Sequence, residues 1–213
     1  MAILIMFSAH AFGETLYTGT FGFYQFYEGY SKEDYGRDKS GSNFIFTLLH
    51  YPEELPFGWF VKSTLGMTSS GLEWKGDDVR TLNTYSTMDV QISTGPSYKI
   101  SLSNVTHIPI SLGVILSHYG EESGYRYDFW DNNENGFLRA FNLGVGADAG
   151  ILIIPNKRFT IVNGINITYD FMRWEKGIME ETYRTVNSGR FQFVNYNALK
   201  ISLYTGIGLR FRN

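Results

Sequence analysis

The chain has 213 residues, 43% hydrophobic and 17% aromatic, with a formal net charge of -3 and no cysteine. That length supports a single domain; the near-neutral balance without a basic run argues against a nucleic-acid partner, and the missing thiols exclude disulfide staples, thiolate metal sites and an acylated cysteine. No run of about 18 apolar residues occurs, so a spanning helix is excluded, whereas alternating strands escape any such sum.

Residues 1–13 read as an export signal. Met1–Phe7 is a short apolar run, followed by small residues up to Gly13 and then Glu14. Cleavage after Gly13 or Ala11 fits the small-x-small rule, while the lack of Lys or Arg before the run places the true start upstream or makes the signal a weak one. Residues 14–213 form the remaining domain.

Eight strands follow in chain order. The first two, about Leu16–Tyr27 and Asn43–Tyr51, are aromatic-rich and their faces are ambiguous. Strand 3 sets Phe57, Trp59, Val61, Leu65 and Met67 against Lys62, Thr64, Gly66 and Thr68. Strand 4 sets Met88, Val90, Ile92, Tyr98 and Ile100 against Asp89, Gln91, Ser93, Ser97 and Lys99. Strand 5 runs from Ile108 to Ser117 with Ser111 and Gly113 on its polar side, and strand 6 opposes Phe141, Leu143, Val145 and Ile151 to Asn142, Gly144 and Asp148. In strand 7, Ile161, Ile165, Ile167, Tyr169 and Phe171 form an apolar row that Asn163 interrupts without an evident reason. The last strand alternates strictly from Leu199 to Phe211, too long for an ordinary soluble strand and incompatible with a helix.

Short and long links alternate. Pro52–Pro56, Ser103–Thr106 and Pro155–Arg158 are short; residues 28–42, 69–84, 120–136 and 175–197 are long and polar. Three short turns and four long loops are the count of an even-stranded up-and-down barrel whose termini share one side. Within the long loops, Gly76-Asp77-Asp78, Glu134-Asn135-Gly136 and Asn187-Ser188-Gly189 read as hairpin tips, with the wall continuing beyond the membrane.

The apolar face is nearly free of charge, while the other carries Gly, Ser, Thr and Asn with a few charges. A soluble barrel needs the reverse, so the expectation is an all-β, eight-stranded antiparallel transmembrane barrel with short periplasmic turns and long extracellular loops. Aromatic belts fit this placement: Trp59, Tyr98 and Phe211 at the short-turn end, Tyr169 and Trp174 at the long-loop end.

With the strands placed, Tyr204–Phe211 resembles the targeting signal of the last strand in outer-membrane barrels: Gly206, then Leu209 and the aromatic Phe211, although Arg212 and Asn213 follow. Beyond that signal, the chain resembles the small eight-stranded outer-membrane proteins, among them the OmpA transmembrane domain, OmpX and OmpW. The resemblance is architectural and implies outer-membrane localisation after export through the periplasm, outer-membrane lipid around the wall, and the barrel-assembly machinery as a partner. It names no function.

The polar faces supply a candidate lumen network of Lys62, Asp89, Asp148, Asp170, Lys200 and Arg210. Lys62 and Asp148 stand at about equal height above the short turns, and Asp170 and Lys200 lie on neighbouring strands near the outer rim. The expectation is that these charges pair and plug the barrel, because an isolated buried charge is costly. No catalytic, metal or cofactor site is expected: adjacent Ser117 and His118 face opposite sides of one strand, and no His/Asp/Glu group has ligand spacing. Two functions remain: a structural or surface-interaction role, with host or surface ligands met through loops 28–42, 69–84, 120–136 and 175–197, or a narrow channel for small hydrophobic solutes or ions.

Overall fold

The computed structural model describes residues 13–30, 36–52, 55–70, 82–126, 133–156, 158–181 and 184–212. The expected leader therefore lies almost wholly outside the described residues. So does the tip expected at Gly76–Asp78.

Among the described residues every element is a strand: β1 (Glu14–Tyr30), β2 (Gly36–Tyr51), β3 (Phe57–Ser70), β4 (Leu82–Ser101), β5 (Thr106–Arg126), β6 (Asn133–Ile153), β7 (Phe159–Glu181), β8 (Arg184–Val194) and β9 (Tyr196–Arg212). Each of β1 to β7 pairs antiparallel with the next, β7 pairs with β9, and β9 returns to β1. The wall is thus a closed ring of eight, with β8 extending β9 past Asn195 along the upper part of β7.

Side chains make the short turns. Ser103 Oγ accepts from the amides of Val105 (3.2 Å) and Thr106 (3.0 Å). Asn156 Oδ1 accepts from Arg158 N (2.9 Å) and Phe159 N (2.8 Å), an Asx turn that caps the hairpin. In the Pro52–Pro56 link, Leu55 N donates to Pro52 O at 3.2 Å.

Burial is inverted relative to a soluble protein. Phe23 and Ile207 are 69% exposed on the outside, whereas Lys62 is 3% and Asp170 0% exposed inside. Outward apolar side chains from every wall strand join into one band, far beyond the scattered apolar residues that water tolerates. A closed ring with an apolar exterior and a polar interior suits lipid.

The aromatic β1 and β2 now have faces. Phe21, Phe23, Phe44 and Phe46 point out, while Tyr24, Phe26, Asn43 and Ile45 are buried within. Asn163 also acquires an account. It points outward and accepts a 2.8 Å hydrogen bond from Thr205 Oγ1 on β9, its register partner.

The long loops are shorter than the sequence suggests, because the strands run on. About 9–11 residues cross the apolar layer, and β7 has 23. Of the described residues in the expected loop 175–197, all but Asn195 are strand. Two expected tips are corrected. Glu134–Gly136 belongs to β6 and Asn187–Gly189 to β8, where the register against β7 slips between Glu175 and Gly177. Gly and Asn mark bulges as well as turns.

Candidate functional site in the barrel lumen

The lumen is packed in layers. Just inside the short-turn mouth, Leu16, Leu49, Tyr51, Phe60, Leu152 and Val162 form a buried apolar cluster. Towards the long loops, Tyr24, Phe26, Tyr119, Leu138, Ala140, Tyr196 and Ala198 form a second. Polar and charged groups fill the space between.

Close approach makes this packing possible. The Tyr204 ring lies across Gly164, where an added Cβ would sit 2.4 Å from Tyr204 Oη, and Phe60 lies against Gly113, where it would sit 2.6 Å from Cζ. Eight strands leave an interior just wide enough for side chains, and a large residue on one strand needs a glycine opposite.

Lys62 forms an ion pair with Asp148, and Tyr204 Oη donates to the other carboxylate oxygen at 2.8 Å. Nearer the outer rim, Lys200 Nζ lies 2.6 Å from Asp89 Oδ2 and 3.3 Å from Asp170 Oδ2. Gln91 donates to Asp89 at 2.7 Å, and Asn142 donates to Ser117 Oγ at 3.0 Å. Arg210 joins neither group. It sits at the short-turn mouth, where Nε donates to Glu14 Oε1 at 2.7 Å while Lys99 Nζ holds Glu14 Oε2 at 2.5 Å.

Sequence reasoning missed two features. Glu14 and Lys99 come from β1 and β4, which are not neighbours in the ring. Arg173 is fully buried between the rings of Tyr119 (4.8 Å) and Tyr196 (4.4 Å), with Glu175 at 3.1 Å. Strict alternation from Tyr169 points Arg173 outward, but a bulge at Leu143/Gly144 reverses the phase. The adjacent exposed pair Phe171 and Met172 is its trace in the sequence.

On the outside, Trp59 is half-buried and Tyr98, Phe211, Tyr169 and Trp174 are exposed. Trp174 meets Phe193 at 5.7 Å, and Phe57 meets Tyr98 at 5.0 Å. Gly206 faces inward, with Leu209 and Phe211 outward. Ser117 is buried in the lumen, whereas His118 packs outside on Phe141 at 4.9 Å.

No protein-family model and no curated protein matches the sequence. Among solved structures, the chain is similar to a major outer membrane protein from Thermus thermophilus, with TM-score 0.54 and 16% identity over 93% of this chain and 99% of that one. It is also similar to the outer membrane protein OprG from Pseudomonas aeruginosa, with TM-score 0.51 and 11% identity over 96% and 98% of the two chains. Ail, the attachment invasion locus protein of Yersinia pestis, aligns at TM-score 0.42 and 13% identity, covering 93% of this chain and 99% of its own. The fold is that of the small outer-membrane β-barrels.

Proposed function

We propose that this chain is an outer-membrane barrel with a closed lumen, acting structurally or through surface interaction at its long-loop end. The observation behind this reading is the pair of apolar clusters that fill the lumen near both ends, with ion-paired layers between them. An ion crossing it would have to displace aromatic side chains twice and break charge pairs on the way, each costing several kcal/mol.

In this reading residues 1–13 serve as a leader, Gly206, Leu209 and Phe211 present the last strand to the assembly machinery, and the belts of Trp59, Tyr98, Phe211, Tyr169 and Trp174 set the depth in lipid. The contact surface is the wall beyond the band, where β8 carries exposed Phe191 and Phe193.

Planar-bilayer recording tests the closed lumen: the refolded chain gives no steps above the lipid baseline, and clear, reproducible conductance would replace this reading with a channel. The surface role is tested by exchanging the four long-loop ends for those of an unrelated barrel. Cell-surface binding is lost while heat-modifiable gel mobility is kept; binding that survives the exchange contradicts the role.

A further inference from the structure

The short-turn mouth holds a polar cavity of about 310 Å³, lined among others by Glu14, Lys99, His107, Arg210 and Arg212. Among its described lining residues, three cationic side chains (Lys99, Arg210 and Arg212) face one carboxylate, Glu14. That carboxylate is already engaged, with one oxygen on Lys99 and the other on Arg210. Arg212 stands directly opposite Glu14 in the strand register, yet makes no ion pair with any described residue.

A second observation points the same way. His107 is only 7% exposed and its Nδ1 lies 2.9 Å from Ser101 Oγ, but its Nε2 is buried with no partner. Buried polar nitrogens are rarely left so, and His107 is one of the residues that line the cavity. Beyond the cavity the Leu16–Phe60 cluster closes the lumen, so this is a terminal site rather than a stage of a passage.

We propose that the short-turn mouth binds one phosphate-type oxyanion, held by Arg212 and His107 with the remaining donors of Lys99 and Arg210. Guanidinium forks suit the tetrahedral oxygens of such an anion. The same chemistry is offered by free phosphate and by a phospholipid headgroup at the membrane surface.

Calorimetric titration of the full chain with inorganic phosphate, in phosphatidylcholine nanodiscs at fixed ionic strength, tests this. Saturable binding at one per chain is expected, weakened at least tenfold by Arg212→Gln and by His107→Gln and unchanged by Arg190→Gln at the far end. Arg212 is exposed at the strand end, so its variant folds, as heat-modifiable mobility will verify. In a second arm, nanodiscs containing phosphatidylglycerol are compared. If the lipid weakens phosphate binding by the parent chain, the site stands and the headgroup is its source; if phosphate binding is unchanged by the lipid, the site stands and free phosphate is its source. Absence of saturable binding in both arms, or binding that persists unchanged in both variants, overturns the proposal.

Discussion

Tyr204 and Asp148 are joined across the lumen by a 2.8 Å hydrogen bond, and Lys62 holds the other oxygen of the same carboxylate. The three residues lie on β9, β6 and β3, spaced around the ring. One partly buried carboxylate therefore ties three separated parts of the wall together.

Breaking this tie from one side leaves either the buried Lys62 or the partly buried Asp148 as an unpaired charge. Asp148→Asn or Lys62→Met is expected to lower stability by about 3–5 kcal/mol, whereas Lys62→Met with Asp148→Leu costs about 1–3 kcal/mol, the penalty of leaving the Tyr204 hydroxyl without its acceptor. Urea titrations of the folded barrel in lipid vesicles, followed by tryptophan fluorescence, measure both. A double variant as unstable as the worse single one would show that the pair contributes more than its own compensation.

The two apolar clusters act in series. Phe60→Ala with Leu16→Ala thins the inner one, and Phe26→Ala with Tyr119→Ala the outer. Either pair alone is expected to leave the bilayer silent, and all four together to give conductance. Steps from one pair alone would mean that the other cluster does not seal.

Asn163 and Thr205 place a polar pair inside the lipid-facing band. Thr205→Val removes the donor to Asn163, and a double-mutant cycle with Asn163→Val should show coupling of about 0.6 kcal/mol, the usual size for such pairs in a bilayer. Zero coupling would mean that both side chains turn to other partners.

Glycine substitution separates packed from open positions. Gly164→Ala drives a methyl group into Tyr204 Oη at 2.4 Å and Ala149 O at 2.7 Å, while Gly189 has nothing within 4 Å. The first is expected to cost about 1–3 kcal/mol and the second to stay within about 0.5 kcal/mol in the same urea assay. Equal effects would contradict the tight lumen.

Much of the fold was legible because alternation is a local property. The row from Leu199 to Phe211 is enough to mark a strand with an apolar and a polar face, and the order of short and long links gives the ring of eight. What stayed hidden depends on register and closure. Thr205 reveals Asn163's partner only once β7 and β9 are aligned, and Arg173 enters the lumen only because a bulge reverses β7. Lys62 and Asp148 can be set at equal height by counting from the turns. Glu14 meeting Lys99 and Arg210 needs strands 1, 4 and 9 brought to one mouth. His107 lines the cavity only through its inward phase in β5, which a single sequence leaves open this close to a turn.

The central claim, lipid outside and a filled lumen within, can be read from one set of labels, since the chain has no cysteine of its own. Ser117 and Ser202 are buried in the lumen, and Leu203 and Ile207 are exposed on the outer band. Each is replaced by cysteine and challenged in sealed liposomes with a membrane-impermeant and a lipid-soluble maleimide. The account predicts that Leu203→Cys and Ile207→Cys react only with the lipid-soluble reagent, and that Ser117→Cys and Ser202→Cys react with neither until the barrel is unfolded. Rapid labelling of Ser117→Cys or Ser202→Cys by the impermeant reagent would contradict the filled lumen, and of Leu203→Cys or Ile207→Cys the lipid-facing wall.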